Sequence, residues 1–516
     1  MPGEPLRIGP FTGGLNTGSD PSAVADAELV DMVNFELDID GSLVSRPPIQ
    51  DFGSPNVSWT ERVVLLGVAK LTTGTFIIGS NTNGVYQFSG GLWNTITATF
   101  RATCMVQYAD KIWLVAAPGS ANPGGSWDGT TFTAIAAMPK GEACRVYKER
   151  MFICPGISAT SNSSRLSFSA AADLTSWPGT NFIDVTSGDG QKLIDMAVYK
   201  SNLLLFKEDS TYALSYDANP SDATRENIST TIGATTRRCV AEYEDSVFVY
   251  HEGDIYEIVN YIFTRINTKV PFLYDGTAPG GTRVEEVFLS IMGDRLIVRY
   301  YNRIYVLGLR TRTWTRWESA STNLHNFGPI VAFPSNVVAA VNDEFYAGSS
   351  IQNNKTVVRI RDGFDATNNE KVGGTPFTIT CSALTKNLDL AASQVNKRLF
   401  WWGADVLTGN NVIGVASPIV LGAVTLWGDI FNQGKKASDL GTWQAPLTGS
   451  VSVFSNVTAP GLTARVFAKF LKALRFRQIN FRIQLTTNGT TVDGPCRLFT
   501  ITIVAATKQT VVKAVN

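Results

Sequence analysis

In 516 residues there are only two histidines, His251 and His325, so a histidine-paired nucleophile has few possible bases and a histidine-rich metal site is excluded. His251 is followed by Glu252 and Asp254. That trio reads as a hydrogen-bonding group at a hairpin end before it reads as an acid–base pair. Asp38-Ile39-Asp40-Gly41 opens like a calcium loop, but Leu43 stands where the turn glycine belongs and Ile49 where the closing glutamate belongs. A hairpin turn is the reading kept. Gly434-Lys435-Lys436 echoes a phosphate loop, yet Asp429 replaces the upstream glycine and Lys436 the magnesium-binding hydroxyl. The six cysteines, Cys104, Cys144, Cys154, Cys239, Cys381 and Cys496, contain no Cys-x-x-Cys and read as reduced, buried thiols, with a Cys144–Cys154 meeting across one hairpin as the alternative. The sequence therefore assigns no catalytic, cofactor-binding or metal-ligating residue.

Two charge clusters remain. Between positions 465 and 482 stand Arg465, Lys469, Lys472, Arg475, Arg477 and Arg482 with no acid, interleaved with Phe467, Phe470, Phe476 and Phe481. They are candidate contacts for DNA phosphates in a channel or for an acidic partner; the alternative is a solvated face over an aromatic core. Glu242, Glu244, Asp245, Glu252, Asp254 and Glu257 form the converse, a stretch without Lys or Arg. On a channel wall such charges would repel DNA; elsewhere they would edge a sheet. Overall, Lys and Arg number 44 against 44 Asp and Glu, which argues against a simple electrostatic nucleic-acid binder.

The elements that must hold these residues are announced by a repeat. An apolar or aromatic residue, a short polar turn and three apolar residues recur as Tyr108–Leu114, Tyr147–Ile153, Tyr199–Leu205 and Tyr243–Val249, with looser copies at Met292–Val298 and Val341–Ala347 and an early one from Leu71 to Ile78. Each copy predicts a hairpin, and further strands follow it, as in Val85–Phe88 and Leu92–Ile96. Four antiparallel strands in a period of about 40 to 50 residues is the pattern of a propeller blade. The predicted class is all-β: a β-propeller of about seven blades, six to eight being open, over residues 60–372.

Residues 1–59 are expected to form a loop and hairpin segment. Ala25–Met32 is read as one or two helical turns, and Val33–Arg46 as a hairpin about Asp40-Gly41, with Phe35, Leu37 and Ile39 on one face. Gly373-Gly374-Thr375-Pro376 predicts a boundary, and residues 373–516 a C-terminal β-sandwich-like domain. Within it Phe377–Cys381, Lys397–Trp402, Val451–Phe454, Ile479–Leu485 and Leu498–Val504 are expected strands, while Thr463–Leu474 admits a short helix. Met1-Pro2-Gly3-Glu4-Pro5 lacks a charged-then-apolar leader and no apolar run approaches a membrane span, so a soluble protein made in the cytoplasm is expected.

Three phrases carry a resemblance: Phe11–Thr17 with Glu28-Leu29-Val30, Asn34-Phe35 and Asp40–Pro48; Ser163–Ser169 with Leu174–Pro178 and Asn181–Val185; and Lys397–Asp405. Together they resemble tailed-bacteriophage virion proteins with a propeller body, and most closely the tail nozzle, or tubular tail, proteins of short-tailed phages. The resemblance implies a structural virion protein of the tail, not an enzyme and without cofactors. It would form a sixfold homo-oligomeric ring below the portal and adaptor rings, meet tail fibres, and continue the DNA ejection channel without sequence-specific binding. A peripheral minor tail protein that binds a fibre or receptor is the alternative within that class. A glycan-cleaving propeller is the alternative outside it, since any two loop carboxylates roughly 5 to 10 Å apart would serve.

Overall fold

The computed structural model describes residues 6–20, 23–52, 63–89, 92–271, 287–300, 303–318, 327–333, 344–349, 357–361, 370–372, 375–377, 379–386, 397–407, 421–429, 463–476, 478–486 and 497–507. The fold is all-β and propeller-like, a succession of small antiparallel sheets. The first sheet is Leu65–Leu71, Gly74–Ser80, Val85–Ser89 and Leu92–Thr97, each strand pairing with the next. Four more sheets of the same order follow over residues 102–134, 143–184, 193–229 and 240–265. A sixth begins with Val287–Met292, Arg295–Tyr300, Arg303–Gly308 and Thr313–Trp317. The seventh takes Phe327–Phe333, Glu344–Ser349 and Val357–Arg361 from the repeat and its fourth strand, Ile49–Phe52, from the N-terminal segment. The first strand of every sheet touches the first strand of the next, and Phe327–Phe333 touches Leu65–Leu71, so the series returns on itself.

The core explains the repeated phrase. Among the described residues it falls into seven clusters, each between two successive sheets. In the second sheet Ile112 and Leu114 pack toward the first, while Trp113 and Val115 pack toward the third. A strand covered on both faces must be apolar at consecutive positions, which is why the phrase ends in three apolar residues and does not alternate. The hairpin turns hold two residues: Tyr108 pairs with Lys111 and Tyr147 with Arg150. Ala109, Asp110, Lys148 and Glu149 have φ of 48, 57, 46 and 60°, the left-handed values of a type I′ turn, whose twist matches the strands.

The termini interleave. Ala25–Met32, read in the sequence as helical turns, runs into a strand, Glu28–Val33: Val33 pairs parallel to Arg316, and Leu29 to Val33 pair antiparallel to Thr380–Thr385. The strand wins because it finds a sheet partner on each edge and buries an apolar face, with Leu29 and Met32 fully buried in one cluster with Leu307 and Cys381. That sheet continues from Thr380–Thr385 to Gln478–Thr486 and Leu421–Asp429. Thr463–Phe476, where a helix was an option, is a strand pairing with Lys397–Leu407 in a sheet that also holds Arg497–Thr507, Leu43–Ser45, Phe35–Leu37 and Leu6–Ile8. The expected hairpin is present, Phe35 facing Ser45 and Leu37 facing Leu43, but its loop spans residues 38–42 and leaves Ile39 77% exposed at the tip. Val451–Phe454, His325, Cys496 and Gly434–Lys436 lie outside the described residues. Among the described residues no helix is long and apolar enough to cross a membrane.

Candidate functional site

Antiparallel order puts the turns after the first and third strands of each sheet at one end, and the turn after the second, with the link to the next sheet, at the other. Between the ends run the first strands, and charged side chains join them where a passage would lie. Arg145 of the third sheet donates through Nε to Glu242 Oε1 of the fifth at 2.8 Å, reaching past the fourth sheet, whose Val198 amide donates to the same oxygen at 3.3 Å. Asp195, next to a bulge at Ile194 in the first strand of the fourth sheet, is buried and accepts from the backbone N–H of Met196 at 2.8 Å and of Arg238 at 3.2 Å. The Arg238 guanidinium crosses further, donating to the Thr103 carbonyl of the second sheet at 3.4 Å. Thr103 also occupies a first-strand bulge. Such bulges turn a backbone group or side chain away from the ladder.

Burial pushes the Asp195 carboxyl above the ordinary carboxylate range, although Arg145 opposes the shift. For Arg145 burial disfavours the charge, but Glu242 and Asp195 outweigh it and hold the guanidinium above its usual range. The middle of the ring is thus tied across by an ion pair and hydrogen bonds. Sequence reasoning passed over Arg145, Asp195 and Arg238. Their signal was available, since Arg145 and Asp195 each sit inside an otherwise apolar first strand.

The acidic stretch does not make one surface. Glu242 is at the axis with Arg145; Asp254 pairs with Arg265 at 2.7 Å; Glu257 is buried and takes both nitrogens of Arg312 at 2.9 Å. Glu244 and Asp245 occupy the turn at one end of the sheet and Glu252 the turn at the other. The wall of like charge read as one option in the sequence is therefore absent among these residues: antiparallel strands send neighbours in sequence to opposite ends and faces. Glu252 instead meets His251 and Asp209, whose ligating atoms all lie within 4.8 Å of one another. Asp254, the sequence neighbour, is not in that group.

Of the six basic candidates, Arg465, Lys469, Lys472 and Arg475 lie on the strand Thr463–Phe476 and Arg482 on Gln478–Thr486, in two different sheets. Arg475 is opposite Arg398, Lys469 opposite Trp401, Arg465 opposite Asp405, and Arg482 opposite Leu384 and Thr425. Lys472 falls where the register shifts between Leu399 and Trp401, and Arg477 lies outside the described residues.

The N-terminal phrase that carries the resemblance forms a joint. Asn34, with φ 59°, donates to the Thr380 carbonyl at 2.8 Å and accepts at Oδ1 from Arg46 Nε at 2.8 Å and from the Glu318 N–H at 2.7 Å. Arg46 is fully buried and also donates to the carbonyls of Pro47 and Glu318, over the ring of Trp317. Asn16 and the Ala25 amide donate to Glu28 Oε2, while Lys269 meets its other oxygen at 2.7 Å. Gly14 has φ +67° and a Cβ there would stand 2.7 Å from Thr313 Cβ. Glu36 and Arg295 pair at 2.8 Å beside a small solvent-open pocket between this segment and the sixth sheet.

No protein-family profile and no curated protein sequence matches the chain. Among solved structures it is similar to the WD40 domain of Neurospora crassa Pan2, at 8% identity over 61% of this chain and 96% of that one, with a TM-score of 0.39. It is also similar to the extracellular domain assigned to a hybrid two component system of B. thetaiotaomicron, at 10% identity over 66% of this chain and 45% of that one, with a TM-score of 0.43.

Proposed function

We propose that the chain is a structural subunit of a phage tail, of the nozzle kind that continues the DNA channel below portal and adaptor rings. The fold that accompanies this reading is a seven-bladed propeller latched by its N-terminal segment and followed by a C-terminal β domain. One observation supports it above the others. The residues of the N-terminal resemblance, Gly14, Asn16, Glu28, Asn34 and Arg46, are spent on a buried joint that ties the N-terminal segment to the sixth sheet and to Thr380–Thr385. Their work is mechanical: it stiffens a block that must hold its shape while DNA passes. On this reading, side chains that tie across the propeller axis leave the DNA another route. It would pass through the middle of a ring of subunits, not through any one propeller.

Copy number relative to the portal subunit in purified particles, read by quantitative mass spectrometry, tests the proposal. About six copies per portal ring are expected, because the resemblance implies a sixfold tail and a closed ring is how repeated subunits surround an axis. About one to three copies would move the chain to the tail tip or periphery. Absence from particles would sink the structural reading and bring a glycan-cleaving activity forward.

A further inference from the structure

We propose that Asp209, His251 and Glu252 form a binding site for a divalent cation of the zinc class, which staples the fourth sheet to the fifth. The site is built by three neighbouring stretches of chain. Asp209 sits in the turn between Asn202–Lys207 and Thr211–Ser215, and His251 and Glu252 at the end of Ser246–His251. The linking stretch holds both turns. Ala234 donates to the Lys207 carbonyl at 2.8 Å, and a Cβ on Gly233 would stand 2.1 Å from that oxygen, so the chain passes here only as glycine. One residue on, the Thr235 hydroxyl accepts from the Glu252 N–H at 3.1 Å. Glu252 and Gly253, with φ of 45 and 99°, make the two-residue turn that closes His251 against Asp254.

Two observations point to a ligand. The ligating atoms of the three residues lie within 4.8 Å of one another, and His251 is only 6% exposed with a buried Nδ1 that has no hydrogen-bond partner. An imidazole held this far from water with an idle nitrogen is costly unless something occupies it. Among the described residues no lysine or arginine pairs with Asp209 or Glu252, so their two negative charges are available to a cation. Tetrahedral ligands about 2.1 Å from a metal lie about 3.4 Å apart, a closure that two exposed carboxylates on turns reach by side-chain rotation. One imidazole with two carboxylates suits zinc, not calcium, which takes oxygen ligands throughout. Three protein ligands leave a coordination position for water or a partner's side chain.

Titration of the purified full-length chain with Zn²⁺ by calorimetry, alongside a thermal melt, is the test. The expected result is one Zn²⁺ per chain and a higher melting temperature, with affinity lowered at least ~10-fold in Asp209→Asn and lost in His251→Gln. Asp209 is exposed, so its variant keeps the fold if His251→Gln does not. Absence of stoichiometric binding would overturn the site. So would binding that Asp209→Asn leaves unchanged, because the metal would then be held elsewhere, the buried thiols included.

Discussion

Glu28 shows how a single side chain at the N-terminal joint makes stability depend on pH. Burial raises its pKa, but hydrogen bonds from Lys269, Asn16 and the Ala25 amide outweigh burial and bring the net shift below the ordinary 4.5. A carboxyl with a lower pKa folded than unfolded gives stability that is complete above the unfolded value and lost as pH falls through the folded one. Thermal midpoints measured as pH is lowered from about 4.5 are expected to drop more steeply in the native chain than in Glu28→Gln, which cannot titrate. Parallel slopes would remove Glu28 from the account. Lys207 makes the opposite use of burial. Its fully buried ammonium donates to the carbonyls of Val185 and Thr186 and to both oxygens of Asp189, stitching the link after the third sheet to the second strand of the fourth. Neither role was legible in the sequence, because each depends on partners brought close only by the packed sheets. The five described cysteines, read as reduced and buried, are free and buried.

At the scale of elements, hairpins were legible and their environment was not. Tyr108–Leu114 announced its turn through polar residues between apolar ones, and the strands fall where the phrase puts them. Glu28–Val33 misled because its apolar positions admit a helical spacing over so few residues; two sheet partners on either side decided the matter. Over Thr463–Leu474 the sequence left a short helix open; the stretch lies in a long strand, Thr463–Phe476, whose partner, Lys397–Leu407, is remote in sequence. The two-residue turns also carry local strain that sequence did not flag. Ala109 holds φ 48° with its side chain exposed, a conformation disfavoured for any residue with a Cβ. Ala109→Gly relieves it and is expected to stabilise the chain by about 1 kcal/mol after the entropy of the added freedom is counted, as read by urea unfolding. A loss of stability would mean that the turn is not of the left-handed kind.

At the scale of the whole molecule, the ring depends on one strand supplied from outside the repeat. Ile49–Phe52 pairs with Val357–Arg361 on one side, and Gln50 pairs with Lys371 on the other. Ile49 is buried with Trp317, Phe345 and Ile360, and Phe52 lies against Phe88 of the first sheet and Tyr346 of the seventh at 4.3 and 4.4 Å. The strand therefore both completes the seventh sheet and fills the seam at which the series meets its own start. Repetition predicted the other sheets; this closure joins residues some three hundred positions apart and leaves no periodic trace. Gln50→Pro removes a ladder donor from the middle of the pairing and should cost about 3 kcal/mol. Because the sheets share seven interfaces in a closed series, the damage should spread from the seam in a defined order. Hydrogen exchange is expected to show Val357–Arg361 and Glu344–Ser349 losing protection first, then Leu65–Ser80 across the seam, while the fourth sheet, farthest around the ring, stays protected. Uniform loss of protection in every sheet would mean that the ring unfolds as one unit with no latch, and unchanged protection would mean that Ile49–Phe52 does not close it.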